Sequence, residues 1–98
     1  MKFELIIPEI VEAEIDEAAK YYDKKQDGLG NKLYNELTEA LSFIEKNPLS
    51  FQKSRKEYRH ALLVTFPYLI IFWVYENKIL VYKFIHTKQH PAKRYKKR

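Results

Sequence analysis

Three apolar or alternating runs lie between Tyr58 and His86, separated only by Phe66-Pro67 and by Glu76-Asn77-Lys78. Breaks this short between strand-like runs predict consecutive strands joined by tight turns, an antiparallel meander. In the middle run Tyr68, Ile70, Phe72 and Val74 share one face of a period-two pattern, and Leu69, Ile71, Trp73 and Tyr75 share the other. Both faces are apolar, so this run is expected to be the central strand, covered on both sides, with Trp73 in the core. The neighbouring runs are mixed: Tyr58, His60, Leu62 and Val64 alternate with Arg59, Ala61, Leu63 and Thr65, and Ile79, Val81, Lys83 and Ile85 alternate with Leu80, Tyr82, Phe84 and His86. Basic and polar side chains thus enter the sheet from its flanks, and they are expected to gather on the face away from any covering helices.

Upstream the period changes. Phe3, Leu5 and Ile7 alternate with Lys2 and Glu4 and predict a first strand that stops at Pro8 and pairs within the same sheet. Val11, Ile15, Ala18 and Tyr22 then recur at helical spacing, with acids toward the start and Lys24 and Lys25 near the close, which suits the helix dipole. Gly28 and Gly30 end that helix and predict a tight helical hairpin. Leu33, Leu37, Leu41 and Ile44 carry a second amphipathic helix to about Lys46, where Asn47-Pro48 stops it. Residues 49 to 57 show neither period and are expected to be a connection. The order is strand, helix, helix and three strands, and both helical stripes are most readily buried against one face of the sheet.

Composition narrows the chemistry. At 98 residues there is room for one domain with one core. The chain has no cysteine, which excludes disulfides, thiolate nucleophiles and thiolate metal ligands, and three histidines without a His-Glu-x-x-His string would need carboxylates to complete a zinc centre. No metal or cofactor is expected. The apolar start is too short for a signal h-region or a membrane span, so a cytoplasmic protein without a membrane partner is the expectation. The net charge of +5 hides a polarity: residues 1 to 49 hold six lysines against eleven acids, 6 − 11 = −5, and residues 50 to 98 hold twelve Lys and Arg against Glu57 and Glu76, 12 − 2 = +10. A surface that basic attracts phosphate or an acidic protein partner. The segment 87–98, with six basic residues and no acid, is expected to be a tail that contacts a partner through charge.

Four strings stand on these elements in order: Ala18-Ala19-Lys20-Tyr21-Tyr22, Asn47-Pro48, Phe66-Pro67-Tyr68-Leu69-Ile70 and His86-Thr87-Lys88-Gln89-His90-Pro91. With the element order they make the chain resemble the RelE/ParE superfamily of toxins, also called plasmid-stabilisation proteins, over essentially its whole length. The resemblance implies an α+β fold, β-α-α-β-β-β, in which a twisted antiparallel sheet carries a helical hairpin on one face. It also implies a single toxin domain over residues 1–98 that inhibits growth, a cognate antitoxin that wraps it, and operator DNA bound only through the toxin–antitoxin complex.

The superfamily divides by target. ParE-like members are associated with blocking DNA gyrase, whereas RelE-like members cut messenger RNA in the ribosome. Metal-independent cleavage needs a base for the 2′-hydroxyl, a cation for the phosphorane and an acid for the leaving oxygen. By position His86, His90 and Tyr95 can move protons, and Arg59, with Lys53 and Arg55, can hold phosphate; His86, Arg59 and Tyr95 form the catalytic set if the chain is a ribonuclease. Where many relatives carry an arginine after the last strand this chain has Gln89, which cannot neutralise a phosphate. Gln89 and the long hairpin bring the likeness nearer the ParE-like branch, and Lys53, Arg55, Arg59, Lys83, Lys88 and Arg94 are then expected to contact target or antitoxin. A small nucleic-acid-binding module is a further alternative, although no aromatic stacking motif is visible in the sequence.

Overall fold

The computed structural model describes residues 2–89. Strand β1 (Glu4–Ile6) is followed by helix α1 (Glu9–Lys25), helix α2 (Leu29–Lys46), a 3-10 turn (Pro48–Ser50), and strands β2 (Lys53–Arg55), β3 (Tyr58–Leu62), β4 (Tyr68–Tyr75) and β5 (Lys78–His86). The five strands form one sheet in the order β1-β5-β4-β3-β2, which makes β4 central as its two apolar faces predict.

Two expectations are corrected. The sheet is mixed, because β1 lies parallel to β5, with Leu5 opposite Ile79. Both helices and three strands lie between β1 and β5 in the chain, so no tight turn dictates their relative direction. The connection at 49–57 also contains β2, which pairs antiparallel with β3 through Lys53 opposite Arg59 and Arg55 opposite Tyr58. Its exposed Lys-Ser-Arg sequence carries no apolar alternation, so nothing in the pattern marked it as a strand.

The main core lies between the hairpin and the sheet. Val11, Ile15, Ala18 and Ala19 of α1 and Leu33, Leu37 and Ile44 of α2 meet Ala61, Ile70, Phe72, Ile79, Val81 and Phe84. Pro8 opens α1, its carbonyl accepting the amides of Val11 and Glu12, and Glu9 and Glu12 in the first turn complement the dipole. The N-cap of α2 is Gly28 at φ 91°, which has no side chain to cap with. Asp23 from α1 substitutes, accepting the Gly30 amide at 2.7 Å. At the other end of the domain the Glu36 carboxylate accepts the amide of Thr65 at 2.7 Å and ties the β3–β4 turn to α2. Burial pulls the Glu36 carboxyl upward, but donors at Thr65, Phe66 and Val64 outweigh it and hold the group below its ordinary value.

The helices are also joined by Tyr34, whose hydroxyl donates to Asp16 Oδ1 at 2.5 Å. That bond, followed by burial and by the charges of Asp16 and Asp23, pushes the phenol from 10.0 up to about 12. Because the folded value lies above the unfolded one, the stabilisation is complete below pH 10 and is lost as pH rises toward 12. Tyr22, raised by burial and then by Tyr21, and Tyr68, raised mainly by burial, add to the same trend. Thermal melts between pH 9 and 12 are expected to show a shallower decline for Tyr34→Phe than for the parent chain. An identical slope would place the alkaline sensitivity on the other tyrosines.

Candidate functional site

A register shift decides which side chains reach which face. Ile71 pairs with Lys83 but Phe72 pairs with Val81, so Tyr82 is an extra residue on β5. One extra residue reverses the alternation that follows. Phe84 therefore joins Ile79 and Val81 beneath the helices, while Lys83 and Ile85 pass to the opposite face with Leu80. The uninterrupted alternation expected over residues 79–86 is corrected accordingly.

The face away from the helices is not chiefly cationic. Leu69, Ile71 and Ile85 form a second, smaller apolar cluster with Tyr58 and Tyr82 packed against it. Trp73 lies on this face, half-buried, rather than in the core. The Tyr58 ring stands 5.4 Å from Trp73 and 5.0 Å from Tyr82, tilted in both cases. This group draws on three strands and a bulge, so no contiguous motif could reveal it. Lys83 is a buried charged residue here, only 8% exposed, with its amine 5.4 Å from the Tyr82 ring.

The proposed phosphate binders separate. Lys53 and Arg55 are exposed on β2, and Lys53 forms an ion pair with Glu57 at 2.9 Å. The Lys53 hydrogen bond and charge, with Arg59 contributing less, hold the Glu57 carboxyl below its usual range. Arg59 points to the helix side opposite Phe72, and its Nη1 donates to the Phe51 carbonyl at 2.6 Å. That bond clamps the end of the 3-10 segment to β3.

His86 lies opposite Tyr68, with ring centroids 5.2 Å apart, and its Nδ1 accepts the Lys88 amide at 3.0 Å. An accepting Nδ1 puts the proton of the neutral ring on Nε2, so the free nitrogen is a donor rather than a base. His86 lines a cleft of about 550 Å³ between α1 and β5 with Glu14, Glu17, Tyr68, Lys83 and Gln89. Glu14 accepts the Phe84 amide there at 3.2 Å. Two carboxylates against one lysine make this cleft a poor host for a phosphodiester.

Arg59 and His86 are not brought together. Four residues along β4 and two strand spacings separate them, which places their Cα atoms roughly 16 Å apart. Lys88 is exposed beyond β5. His90, Arg94 and Tyr95 lie outside the described residues. Among the described residues no three His, Cys, Asp or Glu side chains form a metal-binding group, and no helix is long and apolar enough to cross a membrane.

A two-helix hairpin packed on one face of a five-stranded mixed sheet defines a small α+β protein in which the cationic side chains of the described residues are not gathered in one pocket. No protein-family model and no curated protein matches the chain. Among solved structures, a chain of "Chromosomal ParDE TA system from P. aeruginosa" is similar with a TM-score of 0.79 and 13% identity, over 89% of this chain and 98% of that one. The fold is thus RelE/ParE-like, in agreement with the likeness drawn from the sequence strings.

Proposed function

We propose that this chain is the toxin of a type II toxin–antitoxin system and acts by binding and inhibiting DNA gyrase. The observation that carries the second half of this reading is the separation of Arg59 from His86, each already engaged in a hydrogen bond of the fold. Both side chains would have to leave those bonds to meet on one reacting phosphate, which supports binding over cleavage. A toxin that blocks by binding needs no such meeting. Lys53, Arg55 and Lys88 are exposed and supply contacts to target or antitoxin, and the six basic residues of segment 87–98 add charge for the same purpose. The cognate antitoxin, operator DNA bound through the complex and residence in the cytoplasm follow from the same reading.

Purified protein at excess is expected to abolish supercoiling by gyrase, and induction without antitoxin is expected to stop DNA synthesis before protein synthesis. Unimpaired supercoiling would reject the gyrase target. Codon-position-dependent cuts in translated messages would assign the RelE-like ribonuclease activity instead.

A further inference from the structure

We infer that the sheet face away from the helices is a stacking platform for single-stranded nucleic acid, built on Tyr58, Trp73 and Tyr82. The three rings come from β3, β4 and β5 and lie side by side, yet each is only half-buried. Tyr75, two residues beyond Trp73 on the same strand face, is 63% exposed. Depressions of about 480 and 190 Å³ flank Trp73, the first bordered by Glu57 and Tyr75 and the second by Pro8 and Tyr82. Aliphatic side chains would serve as well to cover a sheet. Rings with partly exposed π faces serve in addition to receive the flat faces of bases, and every base has one.

The polar groups around the rings fit the same occupant. At this end of the sheet Arg55 stands opposite Tyr58 and Lys78 opposite Tyr75, and the two hairpin turns add Lys56 against Glu57 and Glu76. The excess is positive, as a phosphate backbone requires, but small, which leaves stacking as the larger contribution. The Glu57 carboxylate, the one carboxylate bordering the depressions, is already paired with Lys53, and stacking on the rings does not read the 2′-hydroxyl. DNA and RNA single strands are therefore expected to bind alike.

Trp73 is the sole tryptophan of the chain, so its fluorescence reports directly on the platform. The full-length protein is titrated at low salt with a thymidylate 12-mer, a uridylate 12-mer and a duplex of the same length. Both single strands are expected to quench Trp73 and to bind at least tenfold more tightly than the duplex, because paired bases hide their faces. Tyr58→Leu and Tyr82→Leu, which keep apolar volume and lose the ring, are each expected to weaken binding about tenfold, and Tyr58→Phe to retain it. Thermal melts of each variant identify any that fail to fold, and the wild-type titration stands without them. Absent quenching, duplex binding as tight as single-strand binding, or full binding by folded Tyr58→Leu would each overturn the platform. The inference does not rest on the gyrase reading, and supercoiling inhibition by folded Tyr58→Leu scores that reading separately.

Discussion

Phe72→Ala is expected to lower the free energy of unfolding by about 3–5 kcal/mol, the range for truncating a fully buried aromatic. Phe72 is completely inaccessible, stands between Arg59 and Val81 on the helix side of β4, and meets the Phe51 ring edge-on at 5.6 Å. Removing the ring leaves a cavity beneath α2 that the hairpin cannot fill without losing its own contacts. For a domain whose total stability is of order 5–15 kcal/mol, that is a large share. At about 4–8 °C per kcal/mol, the midpoint is expected to fall by roughly 12–40 °C. Trp73→Ala, next in sequence but half-buried on the other face, is expected to cost much less. Urea unfolding of both variants tests the assignment, and a larger loss at Trp73 would locate the principal core on the wrong side of the sheet.

Gly30→Ala is expected to destabilise the domain by about 2–3 kcal/mol, more than Gly28→Ala, although both glycines look like residues of one turn. Gly30 is buried within the first turn of α2, and a Cβ there would stand 2.6 Å from Asp23 Oδ2 and 2.8 Å from the Ala19 carbonyl oxygen. The side chain of Asp23 can rotate away only by abandoning the Gly30 amide, and the Ala19 carbonyl belongs to the helix backbone. Gly28 has open space around it, so alanine there meets only the left-handed backbone at φ 91°, a penalty of about 1–2 kcal/mol. Adding Asp23→Ala to Gly30→Ala is expected to recover part of the loss and no more, since the carbonyl contact remains. Complete recovery would assign the whole effect to the carboxylate.

Much of the architecture was legible because periodicity reports burial. The spacing of Val11, Ile15 and Ala18, and of Leu33, Leu37 and Ile44, predicted the two helices and the stripe each buries. The two apolar faces of residues 68–75 identified the central strand. Legibility ended where a single residue changed the parity. Tyr82 adds one position to β5, and the side chains beyond it exchange faces although their sequence alternates without a break. Lys83 was thereby taken from the helix side to the aromatic one, and Phe84 moved the other way. The basic residues were likewise legible as a set but not as a site. Their number is a property of composition, whereas the Arg59 bond to Phe51 and the His86 bond to Lys88 depend on how the chain turns.

Taken alone, the order of residues determined the element types, the hairpin, the central strand and the excess of positive charge in the second half, because each depends on neighbours within a few positions. Tertiary structure decided the parallel seating of β1, the added strand β2, the distance between Arg59 and His86, and the meeting of Tyr58, Trp73 and Tyr82 on one face. Those features join residues far apart along the chain through strand register, and a register is chosen by the packing of the whole sheet rather than by any local preference.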